Sequence, residues 1–112
     1  MHRVCEFIEE NYDGDRAVPL KKIVMDFRAR HPDLEYSGAE RKVRSIIANA
    51  PREGIPIGSH PAGGYIYART QEDRDLIVAG LKSRIGKLQE RLNDFEKTFD
   101  NWPYAEAQPS ML

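Results

Sequence analysis

The stretch that decides the fold is Ser37–Ala68, which reads SGAERKVRSIIANAPREGIPIGSHPAGGYIYA. It opens with the capping-box spacing Ser37-x-x-Glu40, in which a hydroxyl and a carboxylate satisfy the first backbone N–H groups of a helix. We expect that helix to end at Pro51 and Gly54, which break helical structure. Apolar residues at helical spacing predict its buried face: Ala39, Val43, Ile46, Ile47 and Ala50.

The opposite face of this helix carries small, hydrogen-bonding and cationic side chains, which point away from the apolar stripe at about 100° per residue. Arg and Lys suit guanine edges or phosphates, Asn suits an adenine edge, and Ser suits either. A solvated helix face without a partner accounts for the pattern equally well. The candidate DNA contacts on this helix are Ser37, Gly38, Arg41, Lys42, Arg44, Ser45 and Asn49.

A β-hairpin is predicted after the helix. Ile55–Ile57 and Tyr65–Ala68 have the composition of short strands, and the Gly-rich segment 58–64 between them is too long for a two-residue turn. A protruding loop of small residues can lie along phosphates while a tip residue enters the minor groove; a plain connecting loop is the alternative. Ser59 and His60 are the candidate contacts in the loop, and Arg52 and Arg69 flank the hairpin.

Positive charge is concentrated on this stretch. Residues 37–70 hold five Lys and Arg against two Glu, a net charge of +3, whereas residues 1–36 and 71–112 each carry −2, which leaves −1 for the whole chain. A near-neutral chain with a local positive excess has a modest electrostatic footprint for DNA.

Three short motifs carry a resemblance to a known family: Arg52–Ile57 (REGIPI), Gly63–Tyr65 (GGY) and Ala68–Thr70 (ART). With the order helix, helix, helix, hairpin over about residues 2–70, the chain resembles the winged helix-turn-helix proteins common in bacteriophages and prophages. The resemblance implies DNA binding in replication or transcriptional control. We therefore expect base contacts from Arg41, Lys42, Ser45 and Asn49, and phosphate contacts from Arg44, Arg52 and Arg69.

Two further helices are predicted to support this unit, over residues 2–12 and 20–30, because both have apolar stripes at helical spacing. Cys5 lies on the first stripe and is predicted to be a small buried hydrophobe rather than a catalytic thiol. Asp13–Asp15 indicates a turn, since the remaining ligand spacing of a calcium loop is missing. Ala17–Val18 is predicted to add a third strand to the hairpin.

A long helix is predicted to follow, with Thr70 as its N-cap and acidic residues in its first turn. Its apolar residues alternate at spacings of three and four, the a/d pattern of a coiled coil. A second copy is the simplest partner, in a parallel, antiparallel or four-helix arrangement; folding back over its own domain is the alternative. The predicted dimerisation residues are Val78, Leu81, Ile85, Leu88, Leu92, Phe95 and Phe99.

Several classes of function are disfavoured. Gly58–Gly63 fits the start of a P-loop but lacks the Lys that meets the terminal phosphates. The three His and the single Cys lack zinc-ligand spacing, so we expect no metal, no cofactor and no enzymatic activity. The chain has no membrane-length apolar run and no signal-peptide h-region, which together with a single Cys favours the cytoplasm.

The sequence therefore predicts a mainly helical α+β protein, a winged helix-turn-helix followed by a coiled-coil helix. The expected domains are a DNA-binding domain (1–69), a dimerisation helix (70–99) and a flexible tail (100–112) that includes the aromatic segment Trp102–Tyr104. The expected function is sequence-specific binding of double-stranded DNA as a homodimer in phage or prophage regulation or replication control. The alternative is an interaction module that binds other phage or host proteins in a replication or packaging assembly.

Overall fold

The computed structural model describes residues 1–102 and shows a mainly helical α+β protein. Within that range the helices are α1 (Arg3–Asn11), α2 (Leu20–Arg30), α3 (Tyr36–Asn49) and α4 (Gln71–Asp100), with a 3₁₀ turn at Pro51–Glu53. Strands β1 (Ile57–Ser59) and β2 (Tyr65–Tyr67) form an antiparallel hairpin. The chain divides into two compact units, Met1–Gly80, called the head below, and the part from Leu81 onward. The order of elements is compatible with a helix-turn-helix that carries a wing.

The core of the head is built from the apolar faces that helical spacing predicted. Helices α1, α2 and α3 contact one another, β2 packs on α1, and β1 packs on α3. Cys5 is buried among these elements, as predicted, and its burial raises the pKa of the thiol. The most deeply buried large side chains are those of Ile8, Ile23, Val24, Val43 and Ile66.

The predicted capping box at Ser37 is wrong, because the N-cap of α3 lies two residues earlier. Glu35 is the N-cap and makes no side-chain hydrogen bond to the helix, so Ser37 lies within the first turn, past the capping position. Glu40 instead pairs with Arg44 one turn later, at 3.0 Å. The start of α3 therefore lacks a side-chain cap, and its first buried residue is Ala39.

The hairpin begins later than predicted. Ile55 is still part of the turn after α3, since its N–H donates to Ala50 O and its own carbonyl accepts from Ile57 N–H. Strand β1 therefore starts at Ile57, and the connecting loop shrinks to residues 60–64. The predicted third strand is reduced to a single antiparallel bridge between Val18 and Tyr65.

The turn predicted at Asp13–Asp15 is confirmed. One carboxylate oxygen of Asp13 accepts hydrogen bonds from the backbone N–H groups of Arg16 and Asp15, both at 2.8 Å. These two bonds lower the pKa of Asp13. The turn connects α1 to Val18, which forms a β-bridge with Tyr65 of the hairpin.

Candidate nucleic-acid interface

The outward face of α3 presents two cations that are not engaged elsewhere. Arg41 and Lys42 are exposed, and within residues 1–102 neither makes a hydrogen bond or an ion pair. They lie one turn after the start of α3, and their neighbour Val43 is fully buried. The buried neighbour fixes the rotation of the helix, so both cations are held on the solvent side.

Two of the other candidate residues of α3, Arg44 and Asn49, have local partners, whereas Ser37 and Ser45 are exposed. Arg44 donates to Glu40 from two of its guanidinium nitrogens, at 3.0 and 3.1 Å. The amide of Asn49 donates to the backbone carbonyl of Ser45 one turn earlier. Gly38 has open space where a Cβ would stand, so the backbone there is accessible. Of the predicted face, Arg41 and Lys42 are the side chains with the most unused hydrogen-bonding capacity.

The tip of the hairpin is closed by its own hydrogen bonds. The His60 N–H donates to Gly64 O, and the Gly63 N–H donates to His60 O. The Nδ1 atom of His60 accepts from Ala62 N–H at 2.9 Å, which places the proton of the neutral ring on Nε2. The half-buried Ser59 belongs to β1, opposite Tyr65. These hydrogen bonds hold the conformation of the loop. The Nε2–H of His60 takes part in none of them.

Arg69 is exposed, but its side chain is bound to other residues of the head. Its guanidinium donates to the backbone carbonyls of Glu9 and Tyr12 at the end of α1, and it lies over the rings of Tyr12 and Tyr67 at 6.0 and 5.2 Å. Carbonyls at a helix C-terminus attract cations. The guanidinium of Arg69 is therefore already used by contacts within the head. The interface proposed below does not include it. Arg52 is exposed in the 3₁₀ turn.

A polar junction, formed by the buried Tyr12 and Asp73 together with the exposed Arg69 and Thr70, ties the start of α4 to the rest of the head. Asp73 is 5 % exposed, and its carboxylate accepts from the Tyr12 hydroxyl and from the Arg69 N–H. Its own N–H donates to the Thr70 hydroxyl, which confirms Thr70 as the N-cap. The sequence interpretation missed the role of Asp73, although the spacing Thr70-x-x-Asp73 resembles a capping box.

The junction shifts the pKa values of both partners. Burial and the hydrogen bond to Asp73 raise the pKa of Tyr12 to about 12. For Asp73, burial alone would raise the pKa, but the hydrogen bonds from Tyr12, Arg69 and Thr70 outweigh burial and lower it. The ionised carboxylate and the neutral phenol are therefore the forms that the fold favours.

The predicted dimerisation residues fall into two groups. Val78 is half-buried within the head, whereas the six that follow are 47–67 % exposed. In this second unit the rings of Phe95 and Phe99 stack with centroids 6.4 Å apart, beside Trp102 in an apolar cleft. We call the exposed set the seam; it consists of Leu81, Ile85, Leu88, Leu92, Phe95 and Phe99.

Other features of the chain carry less information about function. Residues 1–102 contain no grouping of His, Cys, Asp and Glu suited to a metal ion, and no helix in that range is long and apolar enough to cross a membrane. Of the predicted tail, 100–112, Asp100 is the last residue of α4, and residues 103–112, which include Pro103 and Tyr104, lie outside the described residues. No protein-family model matches this chain, and neither the curated proteins nor the solved structures contain a significant match.

Proposed function

We propose that the protein binds double-stranded DNA as a homodimer, with the head acting as a winged helix-turn-helix. The observation that carries the proposal is the pair of exposed cations, Arg41 and Lys42, on the outward face of a helix whose other face is fully buried. In the major groove, such cations meet guanine edges and phosphates. The role that we propose, transcriptional regulation or replication control in a phage or prophage, is the one that the sequence resemblance implies.

The hairpin supports the proposal as a wing. Its tip, residues 60–64, is short and held by internal hydrogen bonds, so contact with DNA would require little ordering of the chain. The Nε2–H of His60 is a donor that suits a phosphate oxygen or the acceptors of the minor groove. Arg52, exposed beside the hairpin, would add a phosphate contact.

The seam supports pairing of two copies. Its exposed apolar side chains follow the heptad pattern of a coiled coil, in which the same residues of a second helix would cover them. Pairing would join two heads in one molecule, so that two half-sites on DNA could be bound together.

A protein-interaction module is the second candidate. The observation in its favour is the seam itself, because exposed apolar side chains along a helix also suit a different helical partner. The acidic balance of the two segments that flank the cationic stretch agrees with a partner other than DNA.

A titration of labelled duplex DNA followed by fluorescence anisotropy tests the first proposal. The wild-type chain should bind DNA of random sequence, and binding should weaken steeply between 50 and 200 mM salt because counterions are released. Replacing Arg41 and Lys42 together with Ala should reduce affinity for this DNA at low salt by about tenfold or more, because two cationic contacts to the phosphates are lost.

The matched control for this titration replaces Lys87 and Lys97, two exposed cations of α4, with Ala. This control variant removes the same number of positive charges. It therefore distinguishes a contact made by the α3 face from a general loss of positive charge. Equal losses in the two double variants would remove the α3 face from the account. No binding at low salt would favour the protein-interaction module.

A further inference from the structure

The sizes of the seam residues indicate the direction in which α4 of a second copy would run beside this one. This inference rests on the homodimer proposed above. The heptad positions of the seam are set by the spacing along α4: Ile85, Leu92 and Phe99 occupy a, and Leu81, Leu88 and Phe95 occupy d. All six are exposed, and they begin directly after the head, which ends at Gly80. The sizes of these residues are distributed unevenly, because both phenylalanines lie in the second half of the seam.

A parallel, in-register pair would face each residue with its own copy. Phe95 would then meet Phe95 and Phe99 would meet Phe99, so the two widest layers would be adjacent at one end while aliphatic layers filled the other. The two phenylalanines already stack within one chain, at 6.4 Å between centroids. Four rings in two successive layers would spread the helices where Leu and Ile layers need them close.

An antiparallel pair centred at the level of Glu90 would face every a residue with a d residue. Leu81 would meet Phe99 of the second copy, Ile85 would meet Phe95, and Leu88 would meet Leu92. Each end then combines one large ring with one aliphatic side chain, and the two central layers pair Leu with Leu. No layer holds two rings, so the width of the core varies less along its length than in the parallel pair. Facing large residues with small ones is how packed cores reach uniform density.

Charges beside the seam are compatible with this direction. In the antiparallel pair Lys82 lies beside Glu96 of the second copy, and the symmetric contact repeats it at the other end. One unfavourable contact remains, between the two copies of Arg91. The parallel pair instead matches Arg91 with Glu96. Both directions therefore gain two exposed ion pairs, and the antiparallel one also places two exposed arginines side by side. Because exposed charge contacts contribute little, we take side-chain size as the deciding factor.

We propose that the seam pairs antiparallel with a second copy of this chain, with Leu88 of each copy against Leu92 of the other. The two copies of Gly80, where the heads end, would then lie at opposite ends of the paired helices, about 30 Å apart along the axis at 1.5 Å per residue.

Cysteine cross-linking of the full chain tests the direction. The native chain has a single cysteine, Cys5, which is buried, so the parent protein provides a clean background. Under mild oxidation, Leu88→Cys chains mixed with Leu92→Cys chains should form a mixed disulfide, because only facing residues come within bonding reach. Neither variant should cross-link with itself. Efficient self-linking of Leu88→Cys or of Leu92→Cys would show the parallel pair and overturn the proposal.

A second measurement leaves the packed positions intact. A spin label on Lys97→Cys, on the outer side of α4, should report two labels about 21 Å apart along the helix axis in the antiparallel pair. Labels at the same axial level would overturn the proposal. A monomer at every concentration in sedimentation would also overturn it, together with the homodimer, whereas DNA binding by the α3 face is judged separately by the anisotropy titration.

Discussion

Residues 71–80 and residues 81–99 belong to one continuous helix, but their side chains have opposite surroundings. In the first segment, Asp73 is 5 % exposed and Ile77 packs against the core of the head. In the second segment, every apolar residue of the heptad pattern is at least 47 % exposed. Regular backbone alone therefore says little about how a helix is stabilised: the first segment is held by tertiary contacts, and the second needs an apolar partner to bury its seam.

The largest expected difference in stability is between a variant that truncates an apolar side chain in the core of the head and one that truncates an apolar side chain in the seam. Ile66→Ala, in the core of the head, should lower the free energy of unfolding by about 2–5 kcal/mol, through lost burial and a cavity. Leu88→Ala, in the seam, should change it by less than about 0.5 kcal/mol when the protein is dilute enough to be monomeric.

Urea unfolding at several protein concentrations measures both variants. The cost of Leu88→Ala should grow with concentration as pairing becomes populated, whereas that of Ile66→Ala should persist at every concentration. A concentration-independent loss of several kcal/mol for Leu88→Ala would contradict the distinction between the two segments.

The pH dependence of stability should reveal the junction in the first segment. The pKa of Tyr12 is raised to about 12 in the folded protein, from about 10 when unfolded. A raised pKa stabilises the fold below pH 10, and this contribution is lost as the pH rises towards 12. The loss is about 2–3 kcal/mol for a shift of this size.

Unfolding of the wild type and of Tyr12→Phe between pH 9 and 12 isolates this effect. The wild type should lose more stability than the variant over that interval, although the variant starts from a lower value. For Asp73, whose pKa is lowered, the stabilising contribution is present above the unfolded pKa of about 3.9 and disappears as the pH falls through the lower folded value. Identical alkaline slopes for both proteins would mean that the Tyr12 hydroxyl is not buried in the junction.

Neutralising the buried carboxylate should destabilise the head more than neutralising an exposed one in the same turn of α4. Asp73→Asn weakens or removes the hydrogen bonds from Tyr12 and Arg69, so we expect a loss of about 1–3 kcal/mol. Asp75→Asn is the control, since Asp75 is exposed and its partners Arg74 and Gln71 are exposed as well; its effect on stability should be clearly smaller than that of Asp73→Asn. Thermal unfolding of both variants at pH 7 provides the comparison, and equal shifts would argue against a special role for Asp73.

Helix α4 and the hairpin approach each other closely at Gly58, so a larger residue at this position should destabilise the head. A Cβ added at Gly58 would lie 2.5 Å from Ile77 Cγ2, so Gly58→Ala should cost about 1–3 kcal/mol by overpacking. Combining it with Ile77→Ala should cost less than the sum of the two single changes, because the second change makes room for the first. Additive losses in denaturant unfolding would place Ile77 away from β1.

Most of the helices could be predicted because their signals are local. The apolar spacing around Val24 and Val43 defines α2 and α3, and both faces are buried as predicted. The start of α3 was misplaced because Ser37 and Glu40 have capping-box spacing whether or not the helix begins there. In the structure the helix begins at Tyr36, which leaves Ser37 within the first turn.

The junction could not be predicted because its contacts are long-range. Tyr12 and Asp73 are 61 residues apart in sequence, and Arg69 donates to Glu9 across 60 residues. Nothing in the local pattern around Arg69 distinguishes a cation that binds helix-end carbonyls from one that is free for phosphate. Arg41 and Lys42 were easier to assign, since the buried face of their own helix indicates that they point outward.

Chemical-shift mapping of the 12.8-kDa chain with a short DNA duplex tests the central claim most directly. The account predicts that backbone amide signals of α3 around Arg41 and Lys42 and of the hairpin tip at residues 60–64 shift on titration. Signals of the seam should stay in place at a protein concentration where pairing is already complete. Shifts confined to residues 81–99, or no shifts at low salt, would contradict DNA binding by the head.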